Sequence, residues 1–344
     1  MKKTKFGSYC INGVPEGCKH CVKGKKLVLF ITGICPRNCK YCSLSNLRKN
    51  KDDIWANERK SRDIKKIFEE SIESRADSAG ITGGDPLVRL KRTIKYVREL
   101  KKRFGKKFHI HIYLPTNLTD REKLRKLSKV IDEVRFHPAF LCNKEKRLED
   151  IERINLAKEF FKKKDIGIEM PMIPDKKQEI LDFILNIKKD IGFVNLNEFE
   201  IGESNFDYVT NKYKLKENGY IISGSKETGI WILKQLGKRN VKIKVHLCTA
   251  DTKNNYQYKN RLKLHKISPF GKKTKDGTVI YLVIKKDRKK INKNYPKESY
   301  LDMIKDRLII SHKLARKLLK SHNIERVEEF PTYDRIEVEK EYIN

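Results

Sequence analysis

Residues 26–42 read KLVLFITGICPRNCKYC, a β-rich apolar run that ends in three cysteines spaced by three and then two residues. The run has the length and β-branched content of a buried strand, and the Gly33–Ile34 and Pro36–Arg37 steps break it. Cys35, Cys39 and Cys42 therefore stand on a loop at the C-terminal end of a strand. Outward from it the same rhythm repeats. Apolar runs at 78–82, 108–114, 131–136, 166–170, 193–200 and 241–247 alternate with amphipathic Lys/Glu-rich segments at 61–74, 89–104, 121–130, 147–164 and 176–190. Alternating β and α segments call for parallel strands joined by helical crossovers. The expected fold is α/β, a full or partial (β/α)6-7 barrel with an N-terminal Cys-rich extension and a small C-terminal α+β domain. The expected boundaries are 1–26, 27–250 and 251–344.

In such a barrel the chemistry lies at the C-terminal ends of the strands. Each run here ends in polar or unusual residues: ITGGDP, YLPTN, VRFHP, IEMPMIP, LNEFEIGESN and HLCTADT. Beyond about residue 250 the rhythm changes. A hairpin is expected to turn at Lys275-Asp276-Gly277, followed by a helical stretch near 299–321 and a β-like end.

The 344 residues include eight cysteines, six of them within the first 42. No apolar leader follows MKKTKFGSYC, and no apolar run approaches the roughly 18 residues a membrane span needs. The chain reads as soluble and cytoplasmic with no membrane partner, where clustered cysteines signal metal or iron–sulfur ligation and not disulfides. Three thiolates at a strand end hold three irons of a [4Fe-4S] cubane and leave the fourth open.

Cys35-x3-Cys39-x2-Cys42, with Tyr41 before the last cysteine, resembles the signature of the radical S-adenosylmethionine (SAM) superfamily. The resemblance implies that the open iron binds SAM and that an electron donor such as ferredoxin or flavodoxin feeds the cluster. Reductive cleavage then gives methionine and a 5′-deoxyadenosyl radical, which abstracts a substrate hydrogen. Gly83-Gly84-Asp85 is similar to the family's GGE motif, with Asp in place of Glu. Thr116, Asn117, Arg135, His137, Glu169, Met170 and Met172 occupy places where relatives contact SAM, although Met170 and Met172 read equally as core. The order of blocks over nearly the whole chain resembles an archaeal family related to pyruvate formate-lyase activating enzyme, which supplies no substrate.

A second group, Cys10, Cys18 and Cys21, precedes the first strand. It reads as an auxiliary [4Fe-4S] cluster, with Cys248 the expected fourth thiolate, or as zinc, with His20 a further donor. Cys142 reads as a buried structural thiol.

Lys and Arg number 79 against 45 Asp and Glu, a formal net charge of +34. An excess of this size predicts affinity for a polyanion. Residues 253–290 carry 13 Lys/Arg against two Asp, interleaved with Tyr256, Tyr258, His265, Phe270 and Tyr281. Positive charge grips phosphates while aromatic faces stack on bases. The expected activity is therefore radical SAM modification of RNA, tRNA foremost. Alternatives are a small cofactor precursor, a protein or peptide in the manner of an activase, or a non-enzymatic iron–sulfur nucleic-acid-binding protein.

Overall fold

The computed structural model describes residues 1–217, 219–285 and 296–343. The elements that position the site are β1 (Tyr9–Ile11), α1 (Glu16–Val22), β2 (Lys26–Phe30), α2 (Ile64–Glu73), β3 (Ser78–Thr82), α3 (Leu90–Phe104), β4 (His109–Pro115), α4 (Arg121–Leu127), β5 (Glu133–His137), α5 (Arg147–Asn155), β6 (Ile166–Met172), α6 (Lys177–Ile187), β7 (Phe193–Glu198), α7 (Ser225–Lys238), β8 (Lys244–Cys248) and α8 (Lys259–Leu264). Strands β2 to β8 are parallel and hydrogen-bond in chain order. Strand β1 adds antiparallel to β8, and short ribbons at 2–3 and 55–60 complete an eleven-stranded sheet. The two outermost ribbons are not paired with each other among the described residues, so the sheet is open.

Side chains alternate faces along each strand, and the register carries that alternation across the sheet. One face presents Ile110, Ile112, Leu114, Val134, Phe136, Ile168, Met170, Met172, Val194, Leu196, Val245 and Leu247, all in one buried apolar core with the helices. Each such side chain contributes about 1.5–3 kcal/mol on burial. The opposite face is polar: His111, Tyr113, Arg135, His137, Glu169, Asn195, Asn197, His246 and Cys248. In register, Glu169, Asn195, His246 and Cys10 form one row, and Pro171, Asn197 and Cys248 the next. Helix α1 lies against this polar face. A β-carbon at Gly17 would come within 2.6 Å of His111 Nδ1 and 2.8 Å of Arg135 Nη2, so only glycine permits the approach.

Chain 272–343 forms a second, six-stranded antiparallel sheet with its own apolar clusters. The expected hairpin is present, Lys272–Lys273 pairing with β9 (Val279–Lys285). The stretch expected to be helical at 299–321 is instead divided, two short strands preceding a shorter helix. Ser299–Asp302 and Arg307–Ile310 pair antiparallel, and only His312–Leu318 is helix. Arg307 explains part of this, because it is drawn into the sheet by buried Asp302 and Glu329. No helix among the described residues is long and apolar enough to cross a membrane.

Candidate active site

A cavity of about 520 Å³ opens between the polar sheet face, α1 and the loop after β2. Cys35, Cys39 and Cys42 line it from the loop, and Cys18 and Cys21 from α1. Cys248 lines it from the end of β8, so six of the eight cysteines share one space.

The loop that carries the first three thiols is fixed at both sides. Gly84 and Asp85 donate their backbone N–H groups to the Thr32 and Ile34 carbonyls at 2.7 and 2.9 Å. A β-carbon at Gly83 would lie 2.5 Å from Thr32 O, and one at Gly84 2.6 Å from Ile34 O. The glycine pair is thus required by contact with the cysteine loop, and its backbone faces the cavity. Across the mouth, Arg37 donates to the carbonyls of His137 (2.6 Å) and Pro138 (3.0 Å) and to Tyr41 Oη (3.3 Å). Burial raises the Cys35 thiol above its ordinary value.

The other three thiols have a different environment. Cys18 Sγ lies 3.3 Å from Arg135 Nη1. Lys26 is in hydrogen-bonding reach of Cys21, and Lys253 is close enough to Cys248 to feel its charge. Burial pushes the Cys18 thiol up, against the pull of Arg135, and takes Cys248 to about 12. Burial also works against the charges on Lys26 and Lys253. Neighbouring Cys21 and Tyr113 outweigh it at Lys26, and Glu200 and Cys248 at Lys253, holding both above the ordinary lysine range. Three thiols, Cys18 and Cys248 buried and Cys21 half-buried, each with a cation beside it, suit thiolates held by a metal centre, since ligation deprotonates the thiol and leaves negative charge to be balanced.

Arg135 also donates to Glu169 Oε2 at 3.0 Å and to Glu133 Oε1 at 2.6 Å. Burial alone would raise the Glu169 carboxyl. Arg135 foremost and the hydrogen bond from Asn197 Nδ2 (2.8 Å) bring it below the usual carboxylate range. Burial holds the His137 imidazole down at about 4, hence neutral.

Several expected contacts fall elsewhere. Met170 and Met172 are fully buried on the helix-facing side, since Glu169 takes the cavity and alternation sends its neighbours away. Asp85 is fully buried and accepts from Leu87 N–H at 2.8 Å, capping the turn before α3, so its carboxylate is not in the cavity lining. Thr116 and Asn117 line an adjoining cavity of about 190 Å³, where Thr116 donates to Asp150. Cys10 opens on a separate cavity of about 860 Å³ beside the other face of α1, apart from Cys18 and Cys21. His20 Nδ1 is held 2.7 Å from Asp77. Cys142 is exposed, not buried, and shares the smaller cavity with Cys39. Lys26, Arg37, Asn195, Lys253 and Gln257 also line the main cavity and escape a reading based on motifs. Arg37 carried one signal, its place inside the cysteine motif.

This chain, an open α/β sheet with a three-cysteine loop after its first parallel strand, matches the radical SAM superfamily model over residues 29–187. The chain belongs to the radical SAM superfamily and is a radical SAM enzyme. A Methanocaldococcus jannaschii protein is 37% identical over 271 residues, 72% of this chain and 67% of its own, and its curated name assigns it provisionally to the glycyl-radical enzyme activating enzymes. Two solved structures of the radical SAM methyltransferase TsrM from Kitasatospora setae, one with tryptophan and a SAM analogue, one with cobalamin and a [4Fe-4S] cluster, also align. They share 12% identity with TM-scores of 0.35 and 0.33, over 54% and 50% of this chain and 38% and 36% of theirs.

Proposed function

We propose that the enzyme faces two iron–sulfur clusters across one cavity, the SAM-binding cluster on Cys35, Cys39 and Cys42 and an auxiliary cluster on Cys18, Cys21 and Cys248, and acts on a protein or peptide. The observation that carries the two-cluster reading is the convergence of six thiols on the cavity, three of them beside cations. The protein substrate rests on the provisional name of the Methanocaldococcus relative. A cavity of about 520 Å³ is within the range of small-ligand sites. With SAM inside, it suits one inserted residue better than a folded surface.

When bound, the first cluster supplies the electron that splits SAM reductively, and a reductant such as ferredoxin or flavodoxin replenishes it. The chain's own residues do the rest. The Gly83–Gly84 backbone and the Arg37 clamp hold the cysteine loop in place. Arg135 balances charge at Cys18 while orienting Glu169. Glu169, Asn195 and Asn197 offer acceptors and donors to a substrate in the space between the two thiol groups. Neutral His137, on the wall, can accept or donate one hydrogen bond without adding charge.

Iron counts test the two sites separately. Anaerobically reconstituted wild type is expected to bind about eight irons per chain, two cubanes' worth. Cys18→Ala should bind about half and keep the SAM-cleaving cluster, whereas Cys35→Ala should lose that cluster and all 5′-deoxyadenosine formation. Loss of all iron in Cys18→Ala would overturn two independent sites.

The formal charge of +34 favours a second reading, RNA as substrate. Its basic segment is less suited than its composition suggests. Tyr281 and His265 are buried, Tyr256 packs edge-on against Phe6, and Lys273 is bonded to the carbonyls of Lys263 and His265. Tyr258, Phe270, Lys272 and Lys275 remain exposed, and Lys289 and Lys290 lie outside the described residues. Stimulation of SAM cleavage by intact small RNA, absent after nuclease digestion, would select this reading.

A further inference from the structure

At the end of α2, Glu70 and Glu73 stand one helical turn apart and face His265, which follows α8. Ligand atoms of the three lie within 4.8 Å of one another. Glu70 is 1% and His265 5% exposed. Glu70 Oε1 accepts from Asn57 Nδ2 at 2.8 Å, while Oε2 is buried without a partner. His265 Nδ1 is 2.9 Å from the Lys266 carbonyl, which can only accept, so Nδ1 carries the proton. A singly protonated ring then points its Nε2 lone pair at the carboxylates, 3.9 Å from Glu70 Oε1 and itself without a hydrogen-bond partner. Three acceptors converge with no donor among them. Arg59, whose charge Glu73 feels, gives its Nη2 to Glu69 at 2.8 Å and its Nη1 to the Lys66 carbonyl at 3.3 Å, while its Nε is buried without a partner.

We propose that Glu70, Glu73 and His265 bind one divalent cation of the borderline class, Zn²⁺ foremost, with Mn²⁺ and Fe²⁺ of suitable chemistry. One imidazole and two carboxylates form a nitrogen–oxygen donor set that such ions accept. The carbonyl behind His265 Nδ1 and the amide behind Glu70 Oε1 are the kind of outer partners that fix a ligand's tautomer and orientation. A tetrahedral ion with bonds of about 2.1 Å sets its donors roughly 3.4 Å apart. The 3.9 Å between His265 Nε2 and Glu70 Oε1 needs only a small closure. Burial first and then the like charge of Glu70 raise the Glu73 carboxyl, and the same ion would relieve that repulsion. The ion would sit where Lys266 N–H donates to the Glu73 carbonyl at 2.8 Å, and so would clamp the chain after α8 onto α2. The other convergence of donors, His109, His111 and Glu133, is less inviting because the Arg135 guanidinium already neutralises Glu133.

The test is equilibrium dialysis of full-length, cluster-reconstituted protein against Mn²⁺, which thiolates do not favour, and separately against Zn²⁺, with metals counted alongside iron. The expected result is one Mn²⁺ or Zn²⁺ per chain beyond the iron. His265→Gln and Glu73→Gln should weaken it roughly tenfold or more, with iron content and the metal-free melting temperature unchanged. Absence of a stoichiometric cation in wild type, or binding indifferent to both substitutions, would overturn the site. A His265 imidazole shown by NMR to stay doubly protonated at neutral pH would also overturn it, because a proton would then be the occupant.

Discussion

Arg135 meets more demands than any neighbouring side chain in the cavity: Glu133 on its own strand, Glu169 on the next, the Cys18 thiol on α1, and the rings of Tyr113 and Phe193 at 5.6 and 5.2 Å from its guanidinium carbon. Removing one partner of a buried ion cluster strands the others, at about 3–5 kcal/mol. Arg135→Met is therefore expected to lose stability on that scale in denaturant titration and to shed the iron of the Cys18/Cys21/Cys248 site. Arg135→Lys should fall between, keeping the charge and losing the fork. At this scale the sequence was readable where period two could be anchored. Arg135, His137 and Glu169 lie on the cavity side, and once Glu169 is there Met170 and Met172 cannot be. Asp85 was not readable, because whether a turn carboxylate caps its own helix or enters the cavity depends on a backbone angle that composition does not encode. Lys26 was hidden in a different way, a charged first residue on a strand whose partner, Cys21, is supplied by a helix folded back over the sheet.

Helix α1 is the element that turns a common sheet into this site, and Gly17 is what lets it in. Gly17→Ala places a methyl group against His111 and Arg135, at 2.6 and 2.8 Å. The helix must shift outward and take Cys18 and Cys21 with it. The expected outcome is loss of about half the iron with the SAM-cleaving cluster retained, read from iron counts and 5′-deoxyadenosine formation; full iron retention would contradict the placement of α1. The loop after β2 has its own anchor in Asp52, which accepts from Thr32 Oγ1 (2.7 Å), Arg89 Nε (3.0 Å) and Arg92 (2.6 and 3.0 Å). The Arg92 hydrogen bond foremost outweighs the opposing effect of burial, and those of Thr32 and Arg89 add to it, so the carboxyl is held well below the ordinary 3.8. A depressed folded-state pKa contributes stability that is present above the unfolded value and lost as pH falls toward the folded one. Stability should therefore decline as pH drops below about 4, and Asp52→Asn should flatten that part of the profile while lowering stability at neutral pH. Most elements were legible from period and breakers, as β3 at 78–82 and α3 at 90–104 show. Helix α7 was not, because its SKETGIWILKQLGK has glycines at 229 and 237 that read as breaks. Gly229 is there because a β-carbon would meet Leu247 at 2.5 Å.

The charge of the whole molecule and the chemistry of its cavity make separate statements. The excess of 34 positive charges is spread over helices and loops as well as the second sheet, whose last strand, Glu337–Ile343, is itself acidic and almost wholly exposed. A field of that kind attracts any polyanion without selecting one. The cavity, by contrast, is small, lined by thiols and by paired charges, and presents its acceptors and donors inward. If the cavity decides the substrate, polyanion binding and turnover must separate. Heparin and small RNA are then expected to bind with affinity that falls steeply and linearly on a log–log plot against salt, the slope counting the phosphates or sulfates engaged. Neither should change the rate of 5′-deoxyadenosine formation by reduced protein at any salt. Replacing exposed Lys272 and Lys275 should lower that slope and leave SAM cleavage alone, since both lie outside the cavity lining. A rate that rises with RNA occupancy and collapses with it as salt increases would instead join the surface to the active site, and would make the charge part of substrate recognition.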